Sequence, residues 1–161
     1  MITDISQVIT NDGAVQRIDG TVDYAGLEFN GNEIRFLEPV SAIGEIKNIS
    51  GVLCLSLNCL AHFETLCSRC SSPVEETLEF TVNERFARES SDEEVIIIDS
   101  HELDLDETVV KGFCSELPIN FLCSEDCKGL CHVCGCNLNH EECDCKDDNI
   151  DPRLAALKDF L

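Results

Sequence analysis

Apolar and polar positions alternate most cleanly between residues 51 and 82. Leu53, Leu55, Leu57 and Cys59 share one parity, and Cys54, Ser56 and Asn58 share the other, which is the two-residue period of a half-buried strand. After the polar break SRCSSP the alternation resumes, with Val74, Glu76, Leu78, Phe80 and Val82 set against Glu75, Thr77, Glu79 and Thr81. Two such runs around a tight turn at 67–73 predict a β-hairpin, with Cys67 and Cys70 at its tip.

The flanking signals are shorter. Upstream, Asn11-Asp12-Gly13 marks a turn, residues 15–24 a strand and residues 30–32 a second turn. Apolar clusters at 34–37 and 40–49, separated by Pro39, read as strands, and Ser50-Gly51 as the turn that follows them. Downstream, the acidic run at 89–94 reads as a solvated linker, and the β-branched residues at 95–98 as a short buried strand. Asp104 and Asp106 are candidate N-caps with Glu107 in the first turn. Val109, Val110, Phe113 and Leu117 then fall on one face, which predicts a helix over 106–116 that Pro118 stops. Asp151-Pro152 starts a short terminal helix carrying Leu154, Leu157 and Leu161.

These elements predict an α+β fold: a β-rich body, either an antiparallel sheet or a partly open barrel, with one or two helices and a Cys-rich zinc-knuckle tail. A single domain is expected, with the body at 1–98, a helix and connecting strand at 99–122, and a Cys-rich zinc module with the terminal helix at 123–161.

Charge narrows the function. With 32 acidic and 11 basic residues the formal charge is −21. Affinity for nucleic acid rests mainly on Lys and Arg displacing counterions, so this surface disfavours direct contact with RNA, DNA or acidic lipid and favours a basic partner protein. Residues 1–18 carry Asp4, Asn11, Asp12 and Gly13 and build no apolar run, so no signal peptide is expected. No window reaches the length of a membrane span. A cytoplasmic protein is the expectation. In that reducing compartment, the 12 cysteines point to metal or redox chemistry rather than to disulfides.

Residues 123–145 hold seven of the 12 cysteines in a polar run that cannot form an apolar core. A thiolate-bound zinc ion can order such a run: it contributes apparent folding energy of about 10–16 kcal/mol in small zinc peptides. Four pairs stand out by spacing: Cys67/Cys70, Cys123/Cys127, Cys131/Cys134 and Cys143/Cys145. They make one or two structural sites. Gly135, directly after Cys134, permits the turn that aims amides at sulfur. The favoured grouping joins Cys131/Cys134 with Cys143/Cys145, and Cys67/Cys70 with Cys123/Cys127. The competing one joins Cys123/Cys127 with Cys131/Cys134. Cys136 is a spare or substitute ligand, and His132 and His140 are further substitutes inside the cluster. Cys54, Cys59 and Cys114 read as small buried hydrophobes.

Thiol-disulfide exchange requires a Cys pair at a helix N-terminus in a βαβ setting, which neither C-x2-C pair has. Closed four-cysteine sites also leave no open position for hydrolytic chemistry. A non-enzymatic protein is expected.

The order of parts is similar to that of the YceD family, the large ribosomal RNA accumulation proteins of bacteria and plastids. Cys67, Arg69 and Cys70 match its C-x-R-C turn. Cys123, Cys127, Gly129, Leu130, Cys131, Cys134, Gly135 and Asn139 match its cysteine-rich tail, and Asp151, Pro152, Arg153 and Leu157 its terminal motif. His132 stands where the tail usually has Pro, and Cys136 is an extra thiol. The resemblance implies a non-enzymatic role in ribosome biogenesis, supporting accumulation of large-subunit ribosomal RNA. A basic ribosomal protein, an assembly factor or a pre-ribosomal particle is then the expected partner, met through Arg69 and Arg153. The alternatives are a zinc ribbon touching ribosomal RNA directly, and a thiol redox or metal-relay protein.

Overall fold

The computed structural model describes residues 1–145. The terminal helix expected at 151–161 and the candidate contact Arg153 lie outside the described residues.

The expected hairpin is the spine of the body. Strands β6 (Val52–Leu66) and β7 (Pro73–Ala87) pair antiparallel from Leu53↔Phe86 to Leu66↔Pro73. Period-two patterning fixes which face is inside: Leu53, Leu55, Leu57, Ala61 and Phe63 are buried, as are Val74, Phe80 and Val82. The remaining strands extend this ribbon into an open sheet. β5 (Val40–Ile49) pairs with the first half of β6, and β2 (Val15–Val22) pairs with β5. At the far end of β6, the small hairpin of β3 (Gly26–Phe29) and β4 (Asn32–Phe36) occupies the same edge through Arg35↔Glu64 and Phe36↔Phe63. The tight turns between consecutive strands use left-handed residues, Ser50 and Gly51 between β5 and β6 and Asn30 and Gly31 between β3 and β4. Two-residue connections require that backbone region.

Two features go beyond or against the sequence expectations. The run at 95–98 forms β8 (Val95–Ile97), which pairs parallel with β7 at the sheet edge. Only Val95 is buried, while Ile96 and Ile97 are exposed. The apolar run therefore does not mark a core strand here. Its acidic approach at 89–94 is exposed as expected, and Arg85 pairs there with Asp92 and Glu94. Finally, a short helix α1 (Ser6–Thr10) and a ribbon of β1 (Ile2–Asp4) with β9 (Glu102–Asp104) organise the N-terminal residues. Buried Asn48 anchors α1, its amide donating to the carbonyls of Val8 and Ile9. That contact spans 40 residues, and no local pattern announces it.

Helix α2 (Asp106–Glu116) has the expected bounds. Leu105 occupies the N-cap, and Asp104 accepts the Asp106 amide at 3.0 Å. Val109 and Phe113 are its buried residues. Phe113 is the centre of the core, with ring centroids 4.9 Å from Phe36, 5.2 Å from Phe63 and 5.8 Å from Phe80. Phe121, beyond the helix, reaches Phe63 at 5.9 Å. The chain therefore leaves the core directly beneath the hairpin tip.

Candidate metal centre

The tip of the β6–β7 hairpin and Phe121 are joined by two reciprocal hydrogen bonds. The Ser68 amide donates to the Phe121 carbonyl at 2.8 Å, and the Phe121 amide to Ser68 Oγ at 3.1 Å. Two residues past Phe121, Cys123 thereby arrives at the tip. The Sγ atoms of Cys67, Cys70, Cys123 and Cys127 all lie within 4.8 Å of one another. Cys67 stands 3.8 Å from Cys127, and Cys70 stands 3.6 Å from Cys123. Four sulfurs each about 2.3 Å from one zinc ion at tetrahedral angles are about 3.8 Å apart, whereas a disulfide needs about 2.05 Å. The donor set fits one four-coordinate, thiolate-bound ion. Cys67, Cys70 and Cys127 are buried together with Val74 in a small cluster of their own, so the clasp keeps most of its ligands out of water.

Surrounding groups support the sulfurs. Asn139 Nδ2 donates to Cys127 Sγ at 3.3 Å, while its Oδ1 accepts the Lys128 amide at 2.8 Å. Arg69 donates to the Cys127 carbonyl at 2.9 Å, and the Arg69 carbonyl accepts the Leu130 amide at 3.1 Å. Gly129 holds φ +77°, and a Cβ there would stand 3.2 Å from the Arg69 carbonyl oxygen. Glycine is favoured on both counts. Burial pushes the Cys67 thiol up, but amide donors from Cys123, Arg69 and Cys70 outweigh it and bring the thiol down to about 6. Cys70 is lowered by the Ser72 hydroxyl and amide. Cys123, against the Cys127 and Cys70 thiols, is pushed up to about 12. Hydrogen-bond donors thus favour the thiolate at Cys67 and Cys70, whereas neighbouring thiols disfavour it at Cys123, where a bound cation would favour it.

A second group of four, Cys131, Cys134, Cys136 and Cys143, also lies within 4.8 Å. It is built on a tight knuckle in which the Cys131 amide donates to the Cys136 carbonyl at 2.8 Å and the Gly135 amide to the Cys131 carbonyl at 2.7 Å. Gly135 sits at φ +75°. The knuckle amides of Cys134 and Val133 lower the Cys131 thiol to about 6. Cys136, expected as a spare or substitute ligand, belongs to this group because the turn through Gly135 folds it back over Cys131. Cys145, expected as the fourth ligand, instead adjoins the group, its thiol against those of Cys134 and Cys131 and pushed up to about 12.

The structure thus brings Cys67/Cys70 to Cys123/Cys127 and keeps Cys123/Cys127 apart from the knuckle. Asn139 is a supporting residue that the spacing of cysteines did not single out, though it belongs to the tail motif. Among the other cysteines, Cys59 is buried and pushed up to about 11 by that burial. Cys54 and Cys114 are only half-buried, so the expectation of buried thiols is met by Cys59 alone. No described helix is long and apolar enough to cross a membrane.

Comparison with known proteins places this segment in a family. The model of the family described as "Large ribosomal RNA subunit accumulation protein YceD" matches residues 55–161, a span holding both thiol groups. An uncharacterized protein of Mycobacterium tuberculosis (strain H37Rv) is 33% identical over 102 residues, covering 59% of this chain and 49% of the relative. An uncharacterized protein of Mycobacterium leprae is 27% identical over 172 residues, covering 100% of this chain and 77% of the relative. The chain spans about half the length of the first curated relatives it matches, 49%. No solved structure matches it significantly.

Proposed function

We propose, from the premise that this chain belongs to the YceD family, that it is a non-enzymatic ribosome-biogenesis factor supporting accumulation of large-subunit ribosomal RNA. In this reading two structural zinc ions hold its tail to its sheet, at Cys67/Cys70/Cys123/Cys127 and within the Cys131–Cys145 knuckle, and a basic ribosomal or assembly protein docks beside them. The observation that carries the reading is the family match over the segment that builds both thiol groups.

The docking surface is best sought around the clasp. Glu125, Asp126, Glu141 and Glu142 of the Cys-rich segment are exposed, and so are two of its apolar side chains, Leu130 and Val133. A basic segment with an apolar anchor suits such a composition. Direct contact with ribosomal RNA is supported less well. Arg35, Arg85 and Lys111 are held in ion pairs with acidic neighbours, and cations so engaged release few counterions. Arg69 acts chiefly as a brace of the clasp, since its guanidinium donates to the Cys127 carbonyl.

The test is capture of partners by the zinc-loaded full chain in physiological salt, alongside a variant with Glu125, Asp126, Glu141 and Glu142 changed to Lys. The expected result is recovery of a basic ribosomal protein or pre-ribosomal particle by the wild type and its loss in the variant. Recovery of neither by the wild type sinks the reading.

A further inference from the structure

Strand β2 is an open edge of the sheet. It pairs with β5 along Val15–Val22 and with no other strand among the described residues. At its start the Asn48 amide donates to the Ala14 carbonyl at 3.0 Å, so the amide on the other side of that peptide, of Val15, points away from β5. Backbone groups alternate along a strand, and those of Val15, Arg17, Asp19 and Thr21 are therefore turned to the open side. All four residues are exposed, whereas Ile18 and Val22 are buried in the core. Sheets commonly blunt such edges with short strands, Pro or an excess of charge. β3 and β8 are four and three residues long, and the part of β7 that β8 leaves uncovered begins at Pro73 and carries Glu75, Glu76, Glu79 and Glu84. β2 has eight residues, no Pro, and one Arg balanced by one Asp.

We propose that β2 pairs antiparallel with β2 of a second copy of this chain, about a two-fold axis at Ile18, so that the two sheets join into one. In that register Arg17 of each copy stands opposite Asp19 of the other, and Val15 opposite Thr21. A two-fold contact needs a self-complementary surface, and both charged residues of the strand meet their opposites. Arg17 faces Glu45 across the β2–β5 ladder, yet neither Arg17 nor Asp19 is in an ion pair among the described residues. The same residues fix the register. A shift of two residues one way sets Arg17 against Arg17, the other way Asp19 against Asp19, and like charges directly opposite are destabilising. A shift of one residue sets open backbone groups against groups already bonded to β5. The four outward residues of each copy then exchange about eight main-chain hydrogen bonds, the source of affinity in strand addition. Each chain carries a formal charge of −21, but in physiological salt exposed charges more than about 8 Å apart are largely screened. The adjacent Arg17–Asp19 pairs therefore outweigh the distant repulsion.

The experiment is sedimentation equilibrium of the full chain in physiological salt over a range of concentrations, with circular dichroism to establish that each variant is folded. It compares the wild type, Arg17→Asp, Asp19→Arg, and an equimolar mixture of these two variants. The wild type is expected to show a monomer–dimer equilibrium. Each single variant is expected to lose about tenfold or more in self-affinity, because both pairs across the axis become repulsive. The mixture is expected to regain wild-type affinity as a heterodimer, since every Asp of one chain then meets an Arg of the other. Thr21→Pro, which removes an outward amide and no hydrogen bond to β5, tests the same edge without changing its charge and is expected to be monomeric. A wild type that stays monomeric from micromolar to millimolar concentration overturns the proposal, and so does a monomer whose β2 edge instead takes up a segment of a different protein. Folded single variants or a folded Thr21→Pro that dimerise as well as the wild type overturn it too, as does a mixture of folded variants that stays monomeric.

Discussion

Arg69 and Cys127, 58 residues apart in sequence, are joined by a 2.9 Å hydrogen bond from the guanidinium to the carbonyl. One residue of the hairpin tip thus fixes the backbone that presents a ligand from the tail. The clasp is therefore a tertiary contact as well as a metal site, and the two can be perturbed separately.

Removing a ligand tests the metal. Cys70→Ser is expected to lower zinc content by one ion per chain and to destabilise the tail by about 3 kcal/mol or more, since metal binding free energy is folding free energy in such modules. Elemental analysis and chemical denaturation check both numbers, and exchange protection of the Ser68 amide is expected to fall with them.

Removing the brace tests the contact. Arg69→Ala is expected to keep both ions while costing about 1 kcal/mol, the scale of an exposed charge-assisted hydrogen bond. Arg69→Lys is expected to recover little of it, because the ammonium does not reproduce the guanidinium geometry.

Chelation is expected to release the tail and spare the sheet. The aromatic core around Phe113 and Phe63 forms one buried cluster, and the clasp cysteines form another. Far-ultraviolet circular dichroism is therefore expected to keep its strand signal after treatment with chelator, whereas Phe113→Ala, a core cavity costing about 3–5 kcal/mol, is expected to lower the melting temperature of the sheet itself.

Gly129→Ala places a Cβ at φ +77° and 3.2 Å from the Arg69 carbonyl oxygen. A loss of about 1–3 kcal/mol is expected from backbone strain of this kind, with zinc binding weakened in proportion. Gly13→Ala, at φ +77° with open space around it, serves as a control for the left-handed backbone alone and is expected to cost less.

Zinc retention is expected to fall as pH drops. Cys67 and Cys131 sit near 6, below the ordinary thiol value, so their depressed values favour the fold above the ordinary range and lose that contribution as pH falls through about 6. Cys123, pushed up to about 12, keeps its proton at neutral pH until an ion displaces it. Zinc binding near neutrality is then expected to release protons, and affinity to weaken steeply below about 6. Calorimetry in buffers of different ionisation enthalpy measures the proton count, and a chromophoric chelator measures the affinity.

Local pattern by itself determined the β6–β7 hairpin, the helix at 106–116, the turns at Asn30-Gly31 and Ser50-Gly51, and the presence of paired thiols at 67/70 and 131/134. Each follows from periodicity or turn chemistry within a few residues, and such signals do not depend on the rest of the chain. Tertiary structure decided the remainder. The anchoring of α1 by Asn48 and the parallel edge position of 95–97 rest on contacts between segments that no local signal links, and the fold chose, of the two groupings that cysteine spacing left open, the favoured joining of Cys67/Cys70 to Cys123/Cys127. The place of Cys136 inside the second thiol group, with Cys145 beside it, depended on the direction of a single turn at Gly135. Cysteine spacing states how many ligands a chain offers, and only the fold states which sulfurs meet.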